Sequence, residues 1–434
     1  MLGQASVPDR PTQWHHPLQE PDLNIYLAVI LTSLIISWLL GVTSDFLNAR
    51  AMTPAPPREF RDVFDTDTYR QSQDYTRASM KFSSLTDTFN TAVILIVILA
   101  GGFHLLDQMV RSFGLSALST GLIYIGALGL ISGTMSLPFE AYHTFVLEKK
   151  FGFNTTTLAT FVTDRIKGLL LTGLIGGVLV ATILLFLREA GDYAWLYCWG
   201  FAVAVSLGLT YVAPTWILPM FNKFTPLEKG ELRSALEAYA DSTGFELSGI
   251  FVMDGSKRST KSNAFFTGFG KRRRIALFDT LIKEMTVDEI VAVLAHEVGH
   301  AKLGHIKKRL FTGIIKTGAI FYLMSLFLDS RPLFDTFGME HMSIYAGLVF
   351  FVLLYTPLSL VLSIISNRIS RTHEYEADAF AAETTQRPDS MISALKKLSA
   401  SNLSNLTPHP LTVWLGYSHP PVLKRVRALD TQSK

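Results

Sequence analysis

Seven apolar stretches dominate this 434-residue chain, near residues 23–42, 91–110, 115–136, 168–187, 195–219, 310–328 and 344–366. Each is long enough, as a helix rising ~1.5 Å per residue, to cross a hydrocarbon layer ~30 Å thick. One such stretch could be the core helix of a soluble protein, but seven make that reading poor. Composition agrees: 49% of residues are hydrophobic and 17% charged, against about 25% charged in soluble domains. That balance excludes disorder and coiled coil, and makes a purely soluble enzyme a poor fit. The net charge of +3 is too mild for a nucleic-acid binder. Cys198 is the only cysteine, so no disulfide framework or cysteine metal cluster can form.

The connecting segments set the orientation. From the N-terminus onward they carry 1, 6, 1, 4, 1, 15, 1 and 9 lysines plus arginines, a strict alternation. Basic loops stay in the cytoplasm, which predicts an extracytoplasmic N-terminus and a cytoplasmic C-terminus, in a bacterial inner membrane or the endoplasmic reticulum. The first stretch lacks a following cleavage site and is expected to remain as a span. The glycosylation sequons at Asn154, Asn402 and Asn405 fall on the cytoplasmic side and read as chance. The expected division is a short outer segment (1–22), five spans with their loops (23–219), a folded cytoplasmic insert (220–309), two further spans (310–366) and a cytoplasmic tail (367–434). In the insert, the pattern predicts a helix over 226–244 and short strands at 250–253, 264–266 and 275–278, with the basic run 271–274 in the turn before the last. Thr286 followed by Glu289 predicts a capped helix start.

That helix carries His296-Glu297-Val298-Gly299-His300. Positions i and i+4 lie ~40° apart around a helix, so both imidazoles face one way and can hold one zinc ion. Glu297 beside them can take a proton from a zinc-activated water. A catalytic zinc needs a third protein ligand. His305 falls one residue short of the metzincin spacing and reads as a surface residue or a support for a ligand. The better source is His373-Glu374-Tyr375-Glu376-Ala377-Asp378, where Glu374 and Asp378 stand at i, i+4. One of these carboxylates can ligate while the other supports a histidine or arginine, and Glu376 and His373 compete for the ligand place.

With these residues in view, the chain resembles the type I CAAX prenyl protease family of integral-membrane zinc proteases. The family pattern of HExxH followed by ExxxD is matched by His296, Glu297, His300, Glu374 and Asp378. Leu137-Pro138-Phe139, the segments 142–146 and 148–154, Pro219 to Leu227 and Ser262 to Phe269 extend the resemblance over most of residues 60–430. It implies a mainly α, polytopic fold of seven transmembrane helices around a chamber, closed by a cytoplasmic α+β zinc-protease domain. It also implies Glu374 as third ligand, Asp378 as a supporting carboxylate paired with Arg425, Asn263 on substrate backbone, and His419 on the charge that develops during hydrolysis. His104 and Asp107 in the second stretch and Lys316 in the sixth are costly in lipid and should face water or partners.

The expected activity is a zinc metalloendopeptidase with one zinc per chain, acting on a peptide or protein substrate, prenylated at a C-terminal CAAX-type cysteine or otherwise membrane-associated. A membrane quality-control protease without prenyl preference is the alternative. A non-catalytic channel or scaffold sits poorly with the intact motif pair. Oligomeric state is not legible.

Overall fold

The computed structural model describes residues 24–267 and 273–432. The outer segment 1–22 and the basic residues 271–272 lie outside the described residues. Among the described residues, six helices are long and apolar enough to span a bilayer: Ile25–Ala51, Thr66–Leu99, Ala117–Glu148, Leu158–Glu189, Gly191–Phe221 and His305–Phe327. A seventh is a bent pair, Ile344–Leu354 with Thr356–Thr385, turning by 53° at Tyr355. Pro357 explains the break, because it has no amide hydrogen to donate back into the preceding turn.

The second span differs from its expected bounds. The run 91–110 is not one rod: the helix ends at Leu99, Gly101 takes a left-handed φ of 68°, and Gly102–Arg111 is a separate short helix. Gly101 has no Cβ to oppose that turn, whereas apolar periodicity runs through it unbroken. The span itself lies in Thr66–Leu99, whose polar first half projects beyond the apolar layer.

Only 0–11% of the residues in the six spanning windows are buried. A solid bundle would bury a stripe of every helix; here the helices surround an open chamber. Two packed regions close its ends. At the end away from the insert, Ile30, Phe103, Tyr124, Phe334, Phe337, Tyr345 and Phe350 form an aromatic core. Asp107 is buried there with the partners it was expected to need: the Tyr345 hydroxyl donates to it at 2.5 Å and Arg111 Nε at 2.7 Å. His104 Nε2 lies 3.7 Å from a Glu340 oxygen.

At the other end, a four-stranded sheet forms from β1 (Phe224–Pro226), β2 (Gly249–Met253), β3 (Ala264–Thr267) and β4 (Arg274–Phe278). The order is β1-β2-β4-β3, with β2 and β4 parallel and the outer pairs antiparallel. β1 takes the start of the predicted helix 226–244, which runs instead over Glu231–Ser242. The sheet and this helix pack on Val287–Lys302 through Leu236, Ile275, Leu277, Ile290, Leu294 and Val298. The tail joins the same body, and Phe60 and Phe64 from the first loop and Tyr69 from the start of Thr66–Leu99 pack on Ala292, Met391, Leu395 and Val426.

Candidate metal centre

Two helices meet at the site. Val287–Lys302 begins with the predicted capping box: Thr286 Oγ1 accepts from the Glu289 amide, and Glu289 Oε2 accepts from the Thr286 amide at 2.7 Å. Glu289 is also tied to the tail by Lys397 Nζ at 2.8 Å and Ser393 Oγ at 2.6 Å. Burial opposes its charge, but these donors prevail and hold its carboxyl below the usual range. The second helix is Thr356–Thr385, which runs out of the membrane half into this body. Gly299 lets the two touch: a Cβ there would lie 3.2 Å from both the Cα and the carbonyl oxygen of Ala377.

The contact brings His296, His300 and Glu374 together, all buried. His296 Nε2 and His300 Nε2 are 3.2 Å apart, Glu374 Oε1 is 3.3 Å from His300 Nε2, and Glu374 Oε2 is 3.5 Å from His296 Nε2. Two atoms each ~2.0–2.1 Å from a common centre at the tetrahedral angle lie ~3.3 Å apart; the two imidazole nitrogens meet that spacing, and the carboxylate faces both rings, one oxygen toward each. Glu374 Oε2 is buried without a hydrogen-bond partner, with Arg425 Nη1 3.4 Å away as its counter-charge. The donor set of two imidazoles and one carboxylate suits zinc.

Behind His296, Nδ1 lies 2.9 Å from Asp378 Oδ1. Asp378 receives a two-pronged pairing from Arg425, with Nε at 2.7 Å and Nη2 at 2.6 Å. Burial opposes a charge on His296, whereas the Asp378 and Glu374 carboxylates favour it and prevail; a metal at Nε2 would take the place of that proton. The same two carboxylates, working against burial, keep Arg425 charged.

The other expected site residues divide. Glu297 is half-buried, with no hydrogen-bond or ion-pair partner among the described residues. His419 comes to the trio, its Nε2 3.4 Å from Glu374 Oε1 and its side chain largely exposed. Asn263 is exposed immediately before β3, where its Oδ1 accepts from the Ala264 amide at 2.8 Å. His305 is not at the surface: it is fully buried, 3.1 Å from His300 Nδ1 and 2.8 Å from Glu376 Oε2. Sequence reasoning missed one cluster next to Asn263. Lys261 Nζ donates to Tyr75 Oη at 2.8 Å and Glu148 Oε2 at 2.9 Å, tying the approach to β3 to two membrane helices. Glu148 lies in a segment that carried the resemblance; Tyr75 had no local signal.

Two family models account for the chain: the CAAX prenyl protease N-terminal region, with five membrane helices, matches residues 45–223, and peptidase family M48 matches residues 226–433. CAAX prenyl protease 1 of Saccharomyces cerevisiae is 38% identical over 409 residues, covering 88% of this chain and 90% of the yeast protein. The chain belongs to the CAAX prenyl protease 1 family of M48 peptidases. The human CAAX prenyl protease 1 homolog is 32% identical over 477 residues, covering 97% of this chain and 98% of the human protein. The crystal structure of S. mikatae Ste24p matches with a TM-score of 0.88 at 35% identity, over 93% of this chain and 99% of that one. Membership of this M48 family makes the chain a multi-pass membrane metalloprotease acting on peptides.

Proposed function

We propose that the chain is a zinc endopeptidase for C-terminal CAAX-type peptides bearing a prenylated cysteine, with one zinc ion held by His296, His300 and Glu374. The observation that carries this reading is the buried convergence of two imidazole nitrogens 3.2 Å apart with the Glu374 carboxylate, one oxygen 3.3 Å from His300 Nε2 and the other 3.5 Å from His296 Nε2. The substrate class rests on the name shared by near-full-length relatives. Bound zinc supplies Lewis acidity toward the attacking water and the scissile carbonyl.

The protein groups do the rest. Glu297, unpartnered, takes the proton from the attacking water and returns it to the leaving amine. His419 donates a hydrogen bond to the substrate oxygen on which charge develops. Asp378, anchored by Arg425, holds His296 in one tautomer and orientation. Asn263 sits at the start of β3, an edge strand on which an extended peptide can add as a further strand. Residues 23–219 and 310–366 form the membrane domain; 220–309 and 367–434 form the catalytic body on the cytoplasmic face, with 1–22 on the other side.

Glu297→Gln tests the mechanism. It should keep zinc and lose turnover by ~10²–10⁴-fold, the usual size of a general-base contribution; near-normal cleavage by the zinc-loaded variant would sink it. Mass spectrometry of products from one peptide with and without its prenyl group tests the substrate class, and equal rates would remove the prenyl requirement. For orientation, a cysteine at exposed Lys229 should react with an impermeant reagent only from the cytoplasm, and one at Asp192 only from the opposite face. The reverse pattern would invert the topology.

A further inference from the structure

Behind His300, a short chain of polar groups leads out of the site. His300 turns Nε2 toward His296 and Glu374, which leaves Nδ1 facing away. Nδ1 meets His305 Nδ1 at 3.1 Å, and His305 Nε2 meets Glu376 Oε2 at 2.8 Å. His305 is 0% exposed, whereas the Glu376 side chain is 47% exposed. The His373 ring stacks on His305, with centroids 4.0 Å apart and planes 9° from parallel.

His305, His373 and Glu376 could be read as a second metal site, since their ligand atoms lie within 4.8 Å of one another. The geometry argues otherwise. Stacked imidazoles 9° from parallel keep their in-plane lone pairs in two separate, nearly parallel planes, so they do not converge on one centre. The 2.8 Å separation of His305 and Glu376 is a charge-assisted hydrogen bond, shorter than the ~3.3 Å edge of a zinc tetrahedron.

We propose that His305 and Glu376 are positioning residues for the zinc ligand His300, an inference that rests on the ligand assignment above. If His300 presents its Nε2 lone pair to the metal as a neutral imidazole, its proton sits on Nδ1 and is donated to His305 Nδ1. His305 then carries its own proton on Nε2 and donates it to Glu376. Every ring nitrogen in the chain has one role, and the carboxylate at its end fixes both tautomers. The two histidine ligands are therefore backed differently: His296 by a buried Asp378–Arg425 pair, His300 through an intervening imidazole by a carboxylate that reaches solvent.

The test is zinc affinity of the purified full chain, by competition with a chelator, together with the visible spectrum of the cobalt-substituted protein. His305→Leu should weaken zinc binding by ~10–100-fold, the usual cost of losing a residue that orients a ligand, and should alter the cobalt spectrum. Glu376→Ala, on the exposed side, should weaken zinc binding by a smaller factor without lowering the unfolding temperature. His305→Asn, whose side-chain oxygen can accept the His300 proton, should recover part of the affinity and the native spectrum. Wild-type affinity and spectrum in Glu376→Ala and in folded His305→Leu would overturn the proposal. Equal losses in His305→Leu and His305→Asn would reduce His305 to packing and overturn it too, as would two zinc ions per chain. If His305→Leu does not fold, Glu376→Ala and His305→Asn decide. His300→Ala separates the two levels: retained zinc there would refute the ligand assignment itself.

Discussion

The membrane half and the catalytic body are both helical, but they are held together by different means. In the spanning windows at most 11% of residues are buried, whereas nine of the 16 residues of Val287–Lys302 are. A helix in lipid satisfies its backbone internally and meets apolar solvent on its outer face, so it can line a chamber without a filled core. A helix in water owes its stability to the face it buries. The catalytic body therefore carries an ordinary core, with its buried charges held in pairs, and the membrane half packs densely where its ends meet.

That contrast can be broken by substitution. The largest expected effect is Arg425→Leu, which leaves Asp378 buried beside His296 without its counter-charge. Breaking a buried pair from one side costs about 3–5 kcal/mol, so unfolding of the catalytic body should fall by that order and zinc occupancy should drop with it. A normal melting curve for this variant would mean that the pair is not buried in solution. Next is Leu294→Ala, at a position 0% exposed in the same body. It should cost about 2–5 kcal/mol, read by denaturant titration of the same signal. Smallest is Leu170→Ala in the fourth span, where the side chain is 67% exposed. It removes the same atoms but creates no cavity, and should stay within about 0.5 kcal/mol. A comparable loss at Leu170 and Leu294 would contradict the hollow reading of the membrane half.

The parts legible in the sequence were those written in local periodicity. The seven apolar runs, the capped helix of His296 and His300, and three strands each follow from neighbouring residues. What was not legible depends on which face of a helix turns inward. Glu374, Glu376, Asp378 and His373 crowd two turns of one helix, and residue type alone left the ligand place open among them. The structure separates them by phase: Glu374 and Asp378 face His296, while His373 and Glu376 face His305. His305, read from its spacing as a surface residue or a support for a ligand, is buried against His300, which removes the surface alternative; nothing local foretold its partner 71 residues away. The break at Gly101 was hidden for a similar reason, because a change of chain direction leaves the hydropathy pattern intact.

The bent seventh span also has a mechanical meaning. From Thr356 to Glu374 the helix is a rod of ~27 Å at 1.5 Å per residue, so one degree of rocking about Tyr355 moves Glu374 by ~0.5 Å. Asn367 Nδ2 holds this rod to the Leu415 carbonyl at 3.1 Å, and Arg371 Nη1 holds it to the carbonyls of Val413 and Tyr417 at 3.0 and 2.6 Å. Glu374 and the segment leading to His419 are thereby held to the same stretch of helix. Just beyond Glu374 that helix is seated on the one carrying His296 and His300, at Gly299 against Ala377 and through Asp378 on His296, so any tilt of the span meets the site at a packed joint. Zinc retention in vesicles of graded acyl length would measure how much tilt that joint passes on.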